Sequence, residues 1–115
     1  MITLYGIKTC DTCRKAMKAL DAAGRAYDFV DLRADADMTA LAPKWLAAVG
    51  TDTLVNRKST TWRSLSDADK AKAESDAGAA DLLAAHPTLV KRPVIESGGH
   101  VLVGWTAEVQ KAVGA

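Results

Sequence analysis

The chain has 115 residues, 49% of them apolar and 25% charged, and its 15 basic and 14 acidic residues leave a formal net charge of +1. That length and composition suit one globular domain with its own core and exclude an intrinsically disordered chain. The charge balance provides no broad field for nucleic acid or anionic lipid, so neither is an expected direct partner, while a local anion site stays open.

Residues 2–6, Ile-Thr-Leu-Tyr-Gly, alternate and end on glycine, which predicts a short strand and then a loop. From Asp11 or Thr12 to about Ala23 the apolar spacing becomes helical through Ala16, Leu20 and Ala23. Thr9 and Asp11 are candidate caps and Gly24 the stop. Tyr27 and Phe29 mark a second strand ending near Asp31. Strand, helix and strand in this space predict a βαβ unit with parallel strands. Met38 to Val49 then places Leu41, Trp45, Leu46 and Val49 on one helical face, with Gly50 as its end. The polar run Asn56 to Arg63 reads as an ordered loop. Ser66 caps a charged helix from Asp67 to about Ser75, and Ala77 to Ala85 forms another, closed by His86-Pro87. In the last third, two short strands flank Ser97-Gly98-Gly99-His100 as an antiparallel hairpin. Thr106 caps a final helix to about Val113. Trp45 is expected in the core, Trp62 to pack the helical segment onto the sheet, and Trp105 to pack between the last strand and helix.

No basic leader or bilayer-length apolar run is present, which predicts a cytoplasmic protein. The two cysteines stand at the ends of Cys10-Asp11-Thr12-Cys13. A loop so short staples nothing, so the pair reads as reactive thiols in a reducing compartment. A cysteine attacks as its thiolate, and the first turn of a helix lowers a thiol pKa through free backbone donors and the positive dipole end. Cys10 falls at the predicted helix start and Cys13 about one turn in, which suggests Cys10 as nucleophile and Cys13 as resolving thiol. Lys8, Arg14 and Lys15 add positive charge nearby, and Lys8, Thr9 and Thr12 are candidate substrate contacts. No metal is expected: two thiolates make half a zinc site, and only His86 and His100, both read as surface residues, remain to complete it.

The run Tyr5-Gly6-Ile7-Lys8-Thr9-Cys10-Asp11-Thr12-Cys13-Arg14-Lys15-Ala16 resembles the opening of the arsenate reductase-like family, which also holds the Spx transcriptional regulators. Leu54 to Arg63 and Val90 to Ile95 resemble its YffB-like branch, regarded as glutathione-dependent thiol reductases, so the resemblance covers nearly the whole chain. It implies an α/β, thioredoxin-like fold with a mixed sheet: a single domain over residues 1–115, carrying a largely helical insertion at about 35–86. The nucleophile of the family corresponds to Cys10. Pro93 corresponds to a cis proline beside the active cysteine, shaping an edge for a partner peptide or glutathione. Arg92 would then lie near Cys10, lowering its pKa and clamping a carboxylate or oxyanion. In the glutaredoxin-coupled arsenate reductases a second arginine would fall at Asn56, with Arg57 adjacent as a substitute. A third would fall near Gly104, where no basic side chain stands, and those reductases usually lack a cysteine at position 13.

The expected function is therefore thiol–disulfide exchange with glutathione as co-substrate and no bound cofactor. Cys10, Cys13 and Arg92 would be catalytic, with Asn56, Arg57, Arg92 and Pro93 joining the substrate contacts. The expected partners are glutathione or a glutathionylated or disulfide substrate, with glutaredoxin as a further candidate. The alternatives are a redox-sensing regulator that, like Spx, binds RNA polymerase, and a glutaredoxin-coupled arsenate reductase. With no heptad and no exposed apolar stripe, a monomer is expected.

Overall fold

Alternation in the first segment produces β1 (Ile2–Gly6), which pairs in parallel with β2 (Tyr27–Asp31), Ile2 opposite Tyr27 and Gly6 opposite Asp31. Parallel neighbours need a crossover, and α1 (Asp11–Ala22) supplies it. The computed structural model describes residues 2–115. On the other side of β1 lies β3 (Val94–Ser97), antiparallel to it with Leu4 opposite Ile95, and β3 returns through Gly98-Gly99 into β4 (His100–Val103). The mixed sheet has the order β2-β1-β3-β4. A last helix, numbered α7 (Ala107–Val113) in chain order, begins where the Val109 N–H donates to the Thr106 hydroxyl, the expected cap.

Period two in the strands and period near four in the helices build one core. Ile2, Leu4 and Ile95 are buried with Ala16 and Leu20 of α1 and Val109 and Val113 of α7, and Phe29, Leu102 and Trp105 pack against them. Each large apolar side chain so buried contributes about 1.5–3 kcal/mol. On the opposite sheet face the Tyr5 hydroxyl donates to a Glu96 carboxylate oxygen at 2.8 Å.

These elements belong to one of two compact units, the chain up to Asp35 together with Arg92–Ala115; the other is Ala36–Lys91. The second unit is helical: α2 (Met38–Val49), α3 (Thr51–Leu54), α4 (Thr60–Arg63), α5 (Asp67–Lys72), α6 (Asp76–Ala85) and a 3-10 turn over Pro87–Leu89. Trp45 is fully buried on α2, beside a face made by Met38, Ala42 and Leu46. Leu41 and Val49, expected on that stripe, are only half-buried, so the face is turned toward Met38 and Ala42. An antiparallel bridge between Val55 and Val90 ties the ends of this unit together, flanked by bonds from Asn56 N–H to Leu89 O and from Lys91 N–H to Leu54 O, both 2.7 Å.

Two local expectations need correction. The Asn56–Arg63 run is not all loop, because the Ser59 hydroxyl accepts from the Trp62 N–H and caps the single turn α4. A further short helix, α3, follows Gly50. The charged helix α5 stops at Lys72, short of Ser75, because Ser75 is itself the cap of α6 and accepts from the Gly78 N–H at 3.1 Å. Here α6 starts hard against the end of α5: a Cβ built on Gly78 would collide with the carbonyl oxygen and carbon of Lys72. Alanine is intrinsically the better helix former by about 1 kcal/mol. A backbone clash outweighs that, and Gly78→Ala is expected to lower stability by about 1–3 kcal/mol in urea unfolding. A gain in stability would show that α5 and α6 can part without cost. Among the described residues, no helix is long and apolar enough to cross a membrane.

Candidate active site

β1 hands the chain to α1 through a tight turn closed by the Cys10 N–H on the Ile7 carbonyl at 3.0 Å. Cys10 itself is the N-cap, with φ −80° and ψ 123°, and the Arg14 N–H donates to its carbonyl at 3.0 Å as the first helical bond. The candidate caps Thr9 and Asp11 are thus displaced: Thr9 is used up in the turn, and Asp11 is already the first helical residue. The N-cap position is where Ser, Thr, Asp or Asn usually accepts from the amide two or three residues on. A sulfur stands there instead, and the Cys13 N–H in the first turn is the backbone donor that meets it.

The electrostatics of the two sulfurs diverge. Burial raises the Cys10 pKa, but the Cys13 backbone N–H, the Cys13 thiol and the hydrogen bond and charge of Arg92 together bring it below the ordinary thiol value. Cys13 has no solvent exposure. Burial pushes its pKa up to about 11; the Ile7 N–H opposes this, while the hydrogen bond and charge of Cys10 add to it. The pair therefore consists of one sulfur disposed to ionise and a neighbouring thiol that stays protonated and donates to it. Both cysteines are free thiols in the structure.

Arg92 reaches this site through the sheet. Tyr5 pairs with Val94 in the β1–β3 ladder, so continuing the antiparallel register sets Pro93 beside Gly6 and Arg92 beside Ile7. The Arg92–Pro93 bond is cis, as the resemblance implies, and Pro93 is buried with its carbonyl accepting from the Gly104 N–H at 2.8 Å.

The other nearby cations are occupied elsewhere. Arg14 donates from Nε to the Lys8 carbonyl at 2.9 Å and lies 3.9 Å from the Asp11 carboxylate, so it braces the turn. The Lys8 ammonium sits over the Phe29 ring, 5.8 Å from its centroid. Thr9 and Thr12 are exposed on either side of Cys10.

Asn56 and Arg57 belong to the second unit, and the partners described for them lie there too. Asn56 Oδ1 accepts from the Lys58 N–H at 3.1 Å, an Asx turn leading to the Ser59 cap. Arg57 pairs with Asp52 at 3.1 Å and lies 5.5 Å from the Trp62 ring centroid. Among the described residues no group of three or more His, Cys, Asp or Glu side chains is placed to hold a metal. One close neighbour of the site was not singled out from sequence. Gly6 backs onto Cys13, and a Cβ built on it would lie 2.6 Å from the Cys13 sulfur. A glycine ending a strand reads simply as the start of a loop, and only the approach of α1 gives it this second meaning.

This arrangement has counterparts. The chain is 42% identical to the YFFB protein, whose solved structure it matches over 100% of both chains with a TM-score of 0.90. It is 38% identical to an uncharacterized protein of Haemophilus influenzae, covering 97% of each. A glutaredoxin from Archaeoglobus fulgidus, 14% identical with a TM-score of 0.51 over 97% of this chain and 83% of its own, shares the fold alone and relates the architecture to thioredoxin-like proteins. The ArsC family model matches residues 5–113. A match of that extent, running from the strand before the cysteines to the end of the last helix, makes this chain a member of the ArsC family with a thiol-reductase-like fold.

Proposed function

We propose that the protein is a glutathione-dependent thiol–disulfide oxidoreductase in which Cys10 is the nucleophile and Cys13 the resolving thiol. The observation that carries this reading is the placement of two free thiols at the head of α1, Cys10 at the N-cap and Cys13 buried one turn in, an arrangement that draws the Cys10 pKa down and holds that of Cys13 up to about 11. The Cys10 thiolate attacks a disulfide or glutathionylated substrate; a mixed disulfide forms on Cys10 and the substrate thiolate leaves, taking up a proton. Cys13 or a glutathione thiol then resolves it. An internal disulfide so formed returns to two thiols at the expense of two glutathiones, which leave as glutathione disulfide. Arg92 steadies the thiolate and offers a fork for a glutathione carboxylate. No bound cofactor is required, since a low-pKa sulfur is both nucleophile and leaving group.

Intact mass after brief, limiting oxidation with glutathione tests this, with Cys10→Ser and Cys13→Ser run alongside. The expected result is loss of two hydrogens in the wild type and a glutathione adduct trapped on Cys10 when Cys13 is absent. An adduct formed equally on either cysteine, or none on Cys10, would overturn the division of roles and move the protein toward a sensing or binding function.

A further inference from the structure

We propose that Gly6 is a positioning residue for the resolving step: its missing side chain is the slot in which the Cys13 sulfur sits against Cys10. This rests on the exchange reading above and deepens it by naming what holds the second sulfur in place.

Gly6 follows Ile2 and Leu4 at period two, so it shares their sheet face, the one covered by α1. Its own backbone is fully engaged, opposite Asp31 in the β1–β2 ladder and with its carbonyl accepting from the Leu32 N–H at 2.9 Å. It has no positive φ, so backbone freedom does not explain a glycine here. What does is the space above its Cα. A Cβ there would stand 2.6 Å from Cys13 Sγ, 3.4 Å from Cys13 Cβ and 3.4 Å from a Leu4 methyl carbon. The last two are ordinary contacts. The first is well inside the distance at which carbon and sulfur can coexist.

Something must give, and the choice is narrow. β1 is the second strand of a four-stranded sheet, bonded on both sides, so its backbone is held. The Cys13 side chain has a single heavy-atom torsion, and the cheap relief is to turn the sulfur into another staggered well. That takes it off the site where the Ile7 N–H and Cys10 meet it. In the resolving step the Cys13 proton goes to solvent, a Cys13–Cys10 S–S bond forms, and the bond from Cys10 to glutathione breaks, releasing a glutathione thiolate that is then protonated. The step needs three sulfurs in line, and a displacement near 1 Å at a reacting centre can cost about a hundredfold in rate.

The experiment compares wild type, Gly6→Ala, Cys13→Ala and the double variant. Reduced protein is mixed with glutathione disulfide, quenched in acid at intervals and weighed. Gly6→Ala is expected to accumulate the Cys10–glutathione adduct and to release it at least about tenfold more slowly than wild type. Its Cys10 alkylation profile is expected to move to higher pH, a readout that simple loss of stability would not shift. In the Cys13→Ala background, Gly6→Ala is expected to change neither the profile nor the melting temperature, because the atom it would strike is gone. Resolution by Gly6→Ala at the wild-type rate overturns the proposal. If Gly6→Ala alone does not fold, the double variant decides whether the Cys13 sulfur is what the new methyl strikes: a folded double variant supports the slot, and an unfolded one overturns it. A wild type that takes up glutathione on Cys10 but never forms the internal disulfide overturns Cys13 as resolving thiol and this proposal with it, leaving exchange resolved by glutathione; a wild type whose Cys10 takes up no glutathione overturns the exchange reading itself.

Discussion

Arg92→Gln is expected to slow attack by Cys10 about tenfold at neutral pH while leaving the rate at strongly alkaline pH nearly unchanged. Arg92 lowers the Cys10 pKa both as hydrogen-bond donor and as a charge. Hydrogen bonds to ionised groups are worth about 1.5–3 kcal/mol, and the half-buried position of this guanidinium puts the effect at the lower end, close to one decade. The sign follows from which form reacts. A depressed pKa populates the thiolate from lower pH upward, so removing Arg92 moves the rising limb of the rate–pH curve to higher pH. Above both pKa values the two proteins converge, with the variant's sulfur slightly the more nucleophilic. The same linkage acts on stability: a group whose pKa is lowered by folding stabilises the fold above its unfolded pKa, and that contribution is lost as the pH falls through the folded value. Arg92→Lys should fall between the two, keeping the charge and losing the fork. Iodoacetamide alkylation of Cys10 followed from acid to alkaline pH reads this directly. Superimposable profiles for wild type and Arg92→Gln would remove Arg92 from the site.

Trp45→Ala is expected to cost about 3–5 kcal/mol, the range for deleting a buried aromatic side chain. Trp45 has no solvent exposure, and α2 buries it together with Met38, Ala42 and Leu46. Native domains hold only about 5–15 kcal/mol in total, so the variant should be marginal at room temperature and sit many degrees lower in melting temperature. Trp45→Phe keeps most of the volume and should lose clearly less. Urea unfolding followed by circular dichroism distinguishes them. A loss under about 1 kcal/mol for Trp45→Ala would mean that this helical core closes around the gap, at odds with the close packing of protein interiors.

The division between local and non-local information is visible residue by residue. Ile2–Gly6, Asp11–Ala22 and Tyr27–Asp31 lie within a residue or so of where periodicity puts them, and Gly98-Gly99 turns the hairpin. Thr106 and Ser66 cap the helices that follow them. These features depend on neighbours a few residues away, which a sequence displays directly. The short turns α3 and α4 were not legible, because four residues have no period and exist by virtue of their caps and the contacts around them. The pairing of Cys10 and Cys13 was legible as a spacing.

The chemistry of that pair depended on more distant parts of the chain. Arg92 comes beside the Ile7–Cys10 turn only because β3 chooses β1 as its neighbour, a pairing across about ninety residues that no local pattern encodes. The residues alone did not place it there; the family resemblance did. Cys10 rather than Thr9 or Asp11 became the cap because the Ile7 turn fixes where α1 begins. Gly6 acquires its meaning only when α1 folds back over the sheet and brings a sulfur to its Cα. The sequence by itself thus determined the elements and the reactive residue type, since propensity and spacing act over one or two turns. The spacing also pointed to Cys10 as the sulfur at the helix start; tertiary structure added what draws its pKa down and holds that of Cys13 up, because burial and a cation from another strand converge on the pair only after the chain has closed.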